Sequence, residues 1–317
     1  MPDPVVSVAV LTYHPSWHKL KPTLVSILHQ QNIDLEIILA DDGSENSLQE
    51  EANALFQEHR FTHTRFLPNP ENRGTVKNLI SALEKAKGKY VYVISPGDFF
   101  YDGDTLRKMT SFAETENADI CFGEAVSYYM NQDGEPVLPE GRPLQPSRPD
   151  QYRNLNLFRQ KAAFYFLDYI LGAAYLRTTE MLLNYLKKIE PFVKYAEDTP
   201  TTLFAMSDGI LVHYFPEPVV FYDCGEGISA QKENRWQQIL SAEYRAAYET
   251  LLHNHPEDRV LRSAWRYRYD KHETEQVWKQ VLLDPGVVRA FYRRRRFPVR
   301  TNAATGENLE KLKAILR

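Results

Sequence analysis

Cysteine is nearly absent: Cys121 and Cys224 are the only two in 317 residues. Two thiols cannot build a disulfide framework or a cysteine-based zinc site, so a reducing, cytoplasmic compartment is expected. Long apolar runs are missing too. Nothing approaches the ~18 uninterrupted apolar residues of a membrane-crossing helix. The opening Met1-Pro2-Asp3-Pro4 lacks the basic, then apolar, then small-residue order of a secretion signal. Glycine is scarce where common nucleotide motifs need it. Leu11-Thr12-Tyr13-His14-Pro15, which follows the first apolar run, contains none, and this excludes a Gly-x-Gly-x-x-Gly fingerprint. A P-loop and the Gly-x-Ser-x-Gly elbow of hydrolases are also absent. Nine histidines show no metal spacing within a helix, and His213 between Val212 and Tyr214 suits a core or edge position.

What is present divides by charge. Residues 231–317 carry eighteen Lys+Arg against eleven Asp+Glu, whereas residues 1–230 carry twenty against thirty-one. The division predicts a main domain over 1–230 and a helical, basic C-terminal region over 231–317. An acidic main body argues against a nucleic-acid partner.

Strand and helix patterns alternate through the first hundred residues. Val5–Leu11 and Leu35–Ala40 are β-branched or apolar runs of the kind buried on both faces of a sheet. Further strands are expected at Thr64–Leu67 and Tyr90–Ile94. Helical spacing covers 15–31, 47–59 and 75–87, with Gly88 read as the stop of the third helix. Such alternation implies an α/β fold with a mostly parallel sheet flanked by helices. Ligands then gather at the carboxyl ends of the strands, here Thr12-Tyr13-His14, Asp41-Asp42, Asn69–Asn72 and Ser95–Asp98. Farther along, 131–153 reads as a proline-rich loop or flap. Residues 155–185 read as helix interrupted at Gly172, with separate strands at Ile210–Tyr214 and Val219–Tyr222.

Five segments occur in a recognisable order: Val8–Tyr13, Ile38–Ser44, Asn72–Asn78, Val93–Asp98 and Tyr195–Asp198. Together they resemble the inverting family 2 glycosyltransferases, which share the Rossmann-like GT-A fold. The resemblance covers about residues 4–230. It implies a nucleotide-diphosphate sugar donor, UDP-linked, and a glycan or lipid-linked acceptor in bacterial surface polysaccharide synthesis. Asp41 and Asp42 would receive the base and ribose, whose N–H and O–H groups need acceptors. Thr12 and Tyr13 lie beside them, with the Tyr13 ring as a platform. The same acid pair also suits a helix cap.

Asn72, Gly74 and Lys77 match a donor-binding segment in which lysine replaces the usual arginine, losing planar bidentate geometry. Ser95-Pro96-Gly97-Asp98 stands where the family carries Asp-x-Asp. Asp98 is its single remaining carboxylate for Mg²⁺ or Mn²⁺, with Ser95 toward the donor. Asp198, with Glu197, matches the acidic pair whose aspartate takes the acceptor proton; a helix N-terminus would enrich the same residues. Gly172, Ala173 and Tyr175 match a pocket-lining segment, and Ser229 a loop closing over the diphosphate. Val287–Arg296 (VVRAFYRRRR) suits an anionic membrane surface at the inner face of the cell membrane, a contact between copies of the chain, or a solvated helix. A sugar nucleotidyltransferase and a non-catalytic nucleotide-sugar-binding scaffold are the other classes carried forward.

Overall fold

The computed structural model describes residues 4–166, 168–225, 234–269 and 285–316. Strands β1 (Val6–Thr12), β2 (Leu35–Asp41), β3 (Thr64–Pro68) and β4 (Tyr90–Ile94) alternate with helices α1 (Trp17–Leu28), α2 (Gln49–Glu58) and α3 (Thr75–Leu83). Then follow β5 (Phe99–Phe100), α4 (Thr105–Glu116), β6 (Ile120–Met130), β7 (Pro136–Val137) and α5 (Leu157–Phe166). The remainder is β8 (Tyr175–Thr178), α6 (Thr179–Ile189), α7 (Asp198–Ser207), β9 (Val212–Asp223), α8 (Asn234–Asn254), α9 (Arg259–Tyr269), α10 (Pro285–Arg294) and α11 (Gly306–Leu316).

The strands form one sheet in the order β3-β2-β1-β4-β8-β6-β9-β5. Its first four members are parallel, as the alternation implies. β8 then enters antiparallel between β4 and β6, and β6 pairs in parallel with β9. Register sets the site. Thr12 lies opposite Asp41, Asp41 opposite Pro68, and Val10 opposite Ile94, so the polar strand ends line up along one edge.

Period-two alternation sorts the core into two layers. Ala9, Ile38, Ala40, Val91 and Val93 face one layer. Val8, Val10, Ile37, Leu39, Tyr92 and Ile94 face the other, against α1, α2 and α4. Helix α6 meets the first layer with Leu182, Tyr185, Leu186 and Ile189, a four-residue recurrence matching one helical face. Tyr248 and Leu251 of α8, Leu261 and Ala264 of α9, and Ala290 of α10 bury themselves in that same layer.

Several local expectations are revised. Residues 175–178 are strand, because β4 and β6 offer backbone partners on both sides and sheet pairing overrides the helical spacing. The two strands expected in 210–222 are one, β9, whose ladder to β6 shifts register around Glu124. Gly88 does not end α3, which stops at Leu83; its N–H donates to Ser7 Oγ at 2.9 Å, fastening the entry to β4 against β1. The 131–153 segment is tied down by the C-terminal region: Arg300 N donates to Ser147 O, Asn302 N to Arg142 O, and Arg148 Nε to Phe297 O.

Candidate active site

Three clusters meet at the carboxyl edge of the parallel strands. In the first, Asp41 and Asp42 are buried, and both are heavily engaged within the chain. Asp41 Oδ1 accepts from Thr12 Oγ1 and Ser44 Oγ, and Oδ2 from Ser44 N. Asp42 Oδ1 accepts from Asn69 Nδ2 and Arg73 N, and Oδ2 from Gly74 N. A carboxylate offers about four acceptor positions, so each keeps one, on Oδ2, that these bonds do not use. The pair therefore shapes the loops as much as it contacts anything bound. Thr12 spends its hydroxyl on Asp41, whereas Tyr13 leaves its ring 53% exposed at the same edge, consistent with a platform.

Asp42 fixes the start of α3, and Gly74 fixes it to the far side of the site. Gly74 has φ 89° and ψ 161°, a region essentially reserved for glycine. A Cβ there would stand 2.3 Å from Lys194 Cγ and 2.8 Å from Lys194 O, while Val76 N donates to that same carbonyl at 3.0 Å. Gly74→Ala is expected to lower stability by about 1–3 kcal/mol from backbone strain alone. A falling denaturant midpoint with unchanged slope would register it. Lys77 points from α3 to Glu190 at 3.3 Å, half-exposed. It borders a cleft of about 500 Å³ shared with Asn72, Arg73, Lys194 and Glu243.

The second cluster surrounds Asp98. Ser95 is exposed at the end of β4, and its carbonyl accepts from Asp98 N. Asp98 itself is buried, and its Oδ1 accepts from Asp223 N at 3.0 Å. Burial pushes its pKa up to about 8, and the neighbouring Asp223 carboxylate adds to the rise against the pull of Lys19. Lys19, from the first turn of α1, reaches Asp223 Oδ2 at 2.7 Å. Asp98 after β4 and Asp223 at the end of β9, whose oxygens also accept from Lys19 and Gly225 N, put together two hard-oxygen carboxylates, the donor type that Mg²⁺ or Mn²⁺ takes. Among the described residues no group of three or more ligating side chains occurs. The donor chemistry fits a divalent ion that draws its other ligands from a diphosphate and water.

The third cluster is acidic. Asp198 begins α7, with Oδ2 accepting from Tyr169 O–H at 2.6 Å and Oδ1 from Thr199 N at 2.6 Å. Burial raises its pKa, while Tyr169, Thr199 and the Arg177 charge favour ionisation. Glu197 is raised first by burial and then by the Asp198 charge, with Arg177 opposing. Two adjacent carboxylates share their titration. The bonds from Tyr169 and Thr199 favour the charged form of Asp198, and the Asp198 charge favours the protonated form of Glu197.

Gly172 gives the pair room: a Cβ would lie 3.3 Å from Asp198 Oδ2 and 3.4 Å from Glu197 Oε1. Ala173 O accepts from the hydroxyl of Tyr92, whose phenol also lies in the field of Asp98, so the second and third clusters adjoin. Tyr175 does not line open space. It is buried on β8 among Phe122 and Tyr152, because strand alternation turns it into the first core layer. Ser229, with residues 226–228 before it, lies outside the described residues.

Four participants carry no sequence signal. Tyr169, Asp223 and Lys19 reach the site from segments that read as ordinary helix and strand ends. Glu243 comes from α8, in the C-terminal region. Its carboxylate accepts from Lys194 N at 3.0 Å, Tyr195 N at 3.0 Å and Ala196 N at 2.8 Å, so it clasps the loop leading into Glu197-Asp198.

The model of Glycosyl transferase family 2 matches residues 7–172. An uncharacterized glycosyltransferase of Haemophilus influenzae is 28% identical over 109 residues, which are 34% of this chain and 42% of that protein. The chain thus spans less than half of that relative, and 44% of a longer S. aureus TarS chain. Residues 1–349 of S. aureus TarS, in complex with UDP-GlcNAc, superpose with a TM-score of 0.62 at 16% identity, covering 98% of this chain and 90% of that one. The mannosyltransferase PcManGT of Pyrobaculum calidifontis, in complex with GDP-Man and Mn²⁺, gives 0.57 at 15% identity, covering 99% and 79%. At these identities the structural likeness is one of fold, and that fold is GT-A. The family match spans just over half of the sequence and takes in the ends of β1, β2 and β4, and by it the chain belongs to glycosyl transferase family 2.

Proposed function

We propose that the protein transfers a sugar from a nucleotide-diphosphate sugar to a hydroxyl of a glycan or lipid-linked acceptor, with inversion. The observation that carries this reading is the buried Asp198 carboxylate, which accepts from Tyr169 and Thr199, bonds that favour its charged form, with Gly172 packed against it. In the transfer, Asp198 takes the proton of the acceptor hydroxyl as its oxygen bonds to the anomeric carbon. The bond from that carbon to the diphosphate oxygen breaks on the opposite face, and the diphosphate leaves with the electron pair. No covalent sugar–protein intermediate forms.

The donor's nucleoside would lie over Tyr13, with ribose or base N–H and O–H groups using the remaining acceptor positions of Asp41 and Asp42. Asn72, Lys77 and Ser95 would line the path of the diphosphate, and Ser229 keeps its role in donor binding from the family resemblance alone. A divalent ion held by Asp98 and Asp223 would neutralise that diphosphate. Lys19 brings a fixed positive charge to the same corner. UDP is the favoured carrier, since two adjacent carboxylates suit the N–H of uracil and the ribose hydroxyls. TarS in its UDP-GlcNAc complex shares the fold. The cellular role we assign, bacterial surface polysaccharide synthesis on the cytoplasmic side of the membrane, rests on the family resemblance.

Thermal stabilisation by UDP, GDP, CMP, ATP and NAD, each with and without Mn²⁺, tests the reading. A nucleotide at a hundred times its Kd adds ~2.7 kcal/mol. UDP should give the largest shift, and Asp98→Ala should remove the Mn²⁺-dependent part. If no nucleotide shifts the melting point, the donor site does not exist. Binding without any sugar transfer would favour the scaffold reading instead.

A further inference from the structure

We infer that the start of α5 and the outer face of α10 form a docking surface for an anionic phospholipid membrane. Seven large hydrophobic side chains are exposed among the described residues; Phe158, Val288 and Tyr292 lie on these two helices, with Leu155 two residues before α5 and Val299 five residues past α10. Phe158 is 48% exposed and Tyr292 64%, far beyond what packing against the body would leave. Scattered exposed apolar residues are ordinary, but a local concentration marks an interaction surface.

The charge at this face is of one sign. The Arg293 guanidinium lies 5.5 Å from the centre of the Phe158 ring, and that of Arg296 lies 5.3 Å from the Tyr292 ring. Arg159 and Arg289 are exposed alongside. Burial draws the pKa of Arg293 down, and the charges of Arg159, Arg289 and Arg296 draw it down further. Arg293 Nη1 is buried with no hydrogen-bond partner among the described residues.

Arginines on the inner side are partly matched, although Arg294 Nε is also buried with no hydrogen-bond partner among the described residues. Arg294 Nη2 donates to Ser147 Oγ and Arg148 Nε to Phe297 O, and both guanidiniums bear on the buried Asp168 carboxylate. Outward repulsion is left for an external anion to relieve.

Aromatic rings interleaved with arginine suit an interface where the apolar part enters the acyl boundary and the cations meet phosphates. A flat membrane touches this face alone. A nucleic acid would also meet the body of the protein, where residues 1–230 carry thirty-one acidic against twenty basic side chains. Helix α5, ten residues and so about 15 Å long, links the face to the acidic cluster. Phe158 stands near its start, and Tyr169, just past its end, bonds Asp198. The docking surface stands whether or not the transferase reading does.

The test is co-sedimentation of the full chain with vesicles of phosphatidylcholine alone and of phosphatidylcholine mixed with phosphatidylglycerol. Binding is expected only to the anionic vesicles and should fall as salt screens the contact. Arg289→Gln with Arg296→Gln should weaken it about thirtyfold, from roughly 1 kcal/mol per basic residue. Tyr292→Ser, at a highly exposed position, should weaken it without changing the melting temperature. Equal binding to neutral vesicles, no vesicle binding, or binding indifferent to these substitutions would overturn the inference. So would tighter, equally arginine-dependent retention on RNA.

Discussion

Asp198→Asn is expected to cut sugar transfer by about 10²–10⁴-fold, the usual worth of a general base, while nucleotide binding and melting temperature hold. An asparagine of the same shape can still accept one of the two bonds from Tyr169 and Thr199. It cannot take a proton. Stability should survive because the substitution also removes a buried charge, whose desolvation already works against the folded state. The pH profile supplies a second reading. Asp198 is raised above its ordinary value of 3.8 by burial, and a base acts only when ionised. The acidic limb of kcat should therefore lie above that value, with activity lost as pH falls through it. Glu197→Gln leaves Asp198 with no second titrating carboxyl beside it and should leave that limb in place or move it to lower pH. A wild-type rate in Asp198→Asn, or an acidic limb at the pH of an ordinary aspartate, would remove Asp198 from its role.

How much of this was legible in the sequence follows from how local each signal is. β1, β2 and β4 were readable because burial on both faces writes a nearly continuous apolar run, as in Val8–Val10, whatever surrounds it. The strand ends at Thr12, Asp41 and Ser95 were readable for the same reason: polarity resumes where the sheet stops. β8 was hidden. Tyr175-Leu176-Arg177-Thr178 has no periodicity of its own long enough to declare a strand, and its state is set by two neighbours far away in sequence. Tyr169 was hidden likewise, since nothing in its surroundings announces a hydrogen bond to a carboxylate twenty-nine residues on. Asp41 and Asp42 were found but half understood. Their spacing announces acceptors, yet only the fold reveals that Ser44, Asn69, Arg73 and Gly74 take most of the capacity.

The charge asymmetry, a property of 231–317 as a whole, carries no sign that α8 brings the acid Glu243 to the site. Glu243→Ala should be among the most damaging single changes in the protein. Three consecutive amide groups, of Lys194, Tyr195 and Ala196, would lose their shared acceptor. Only the Ala196 donor is buried, the other two bonds being part-buried; a buried donor left unsatisfied costs about 1–3 kcal/mol, and Glu243 itself is 8% exposed. A loss of that size is large against a typical total of about 5–15 kcal/mol.

Glu243→Gln separates positioning from stability. It keeps one carbonyl oxygen for the loop but turns an NH₂ group toward the remaining donors, so the loop must shift. That loop leads directly into Glu197-Asp198, and Lys194 O also holds Val76 at the start of α3. A shift of about 1 Å in a catalytic group costs on the order of 10²-fold in rate. The expected result is a kcat reduced by about that factor at a temperature where the variant is fully folded, with the donor KM changed far less. Glu243→Asp, which retains both oxygens on a shorter stem, should recover part of the rate. If Glu243→Gln melts earlier yet turns over at the wild-type rate, then α8 merely packs against the site. If the rate falls with the melting point intact, the C-terminal region is a working part of the active centre.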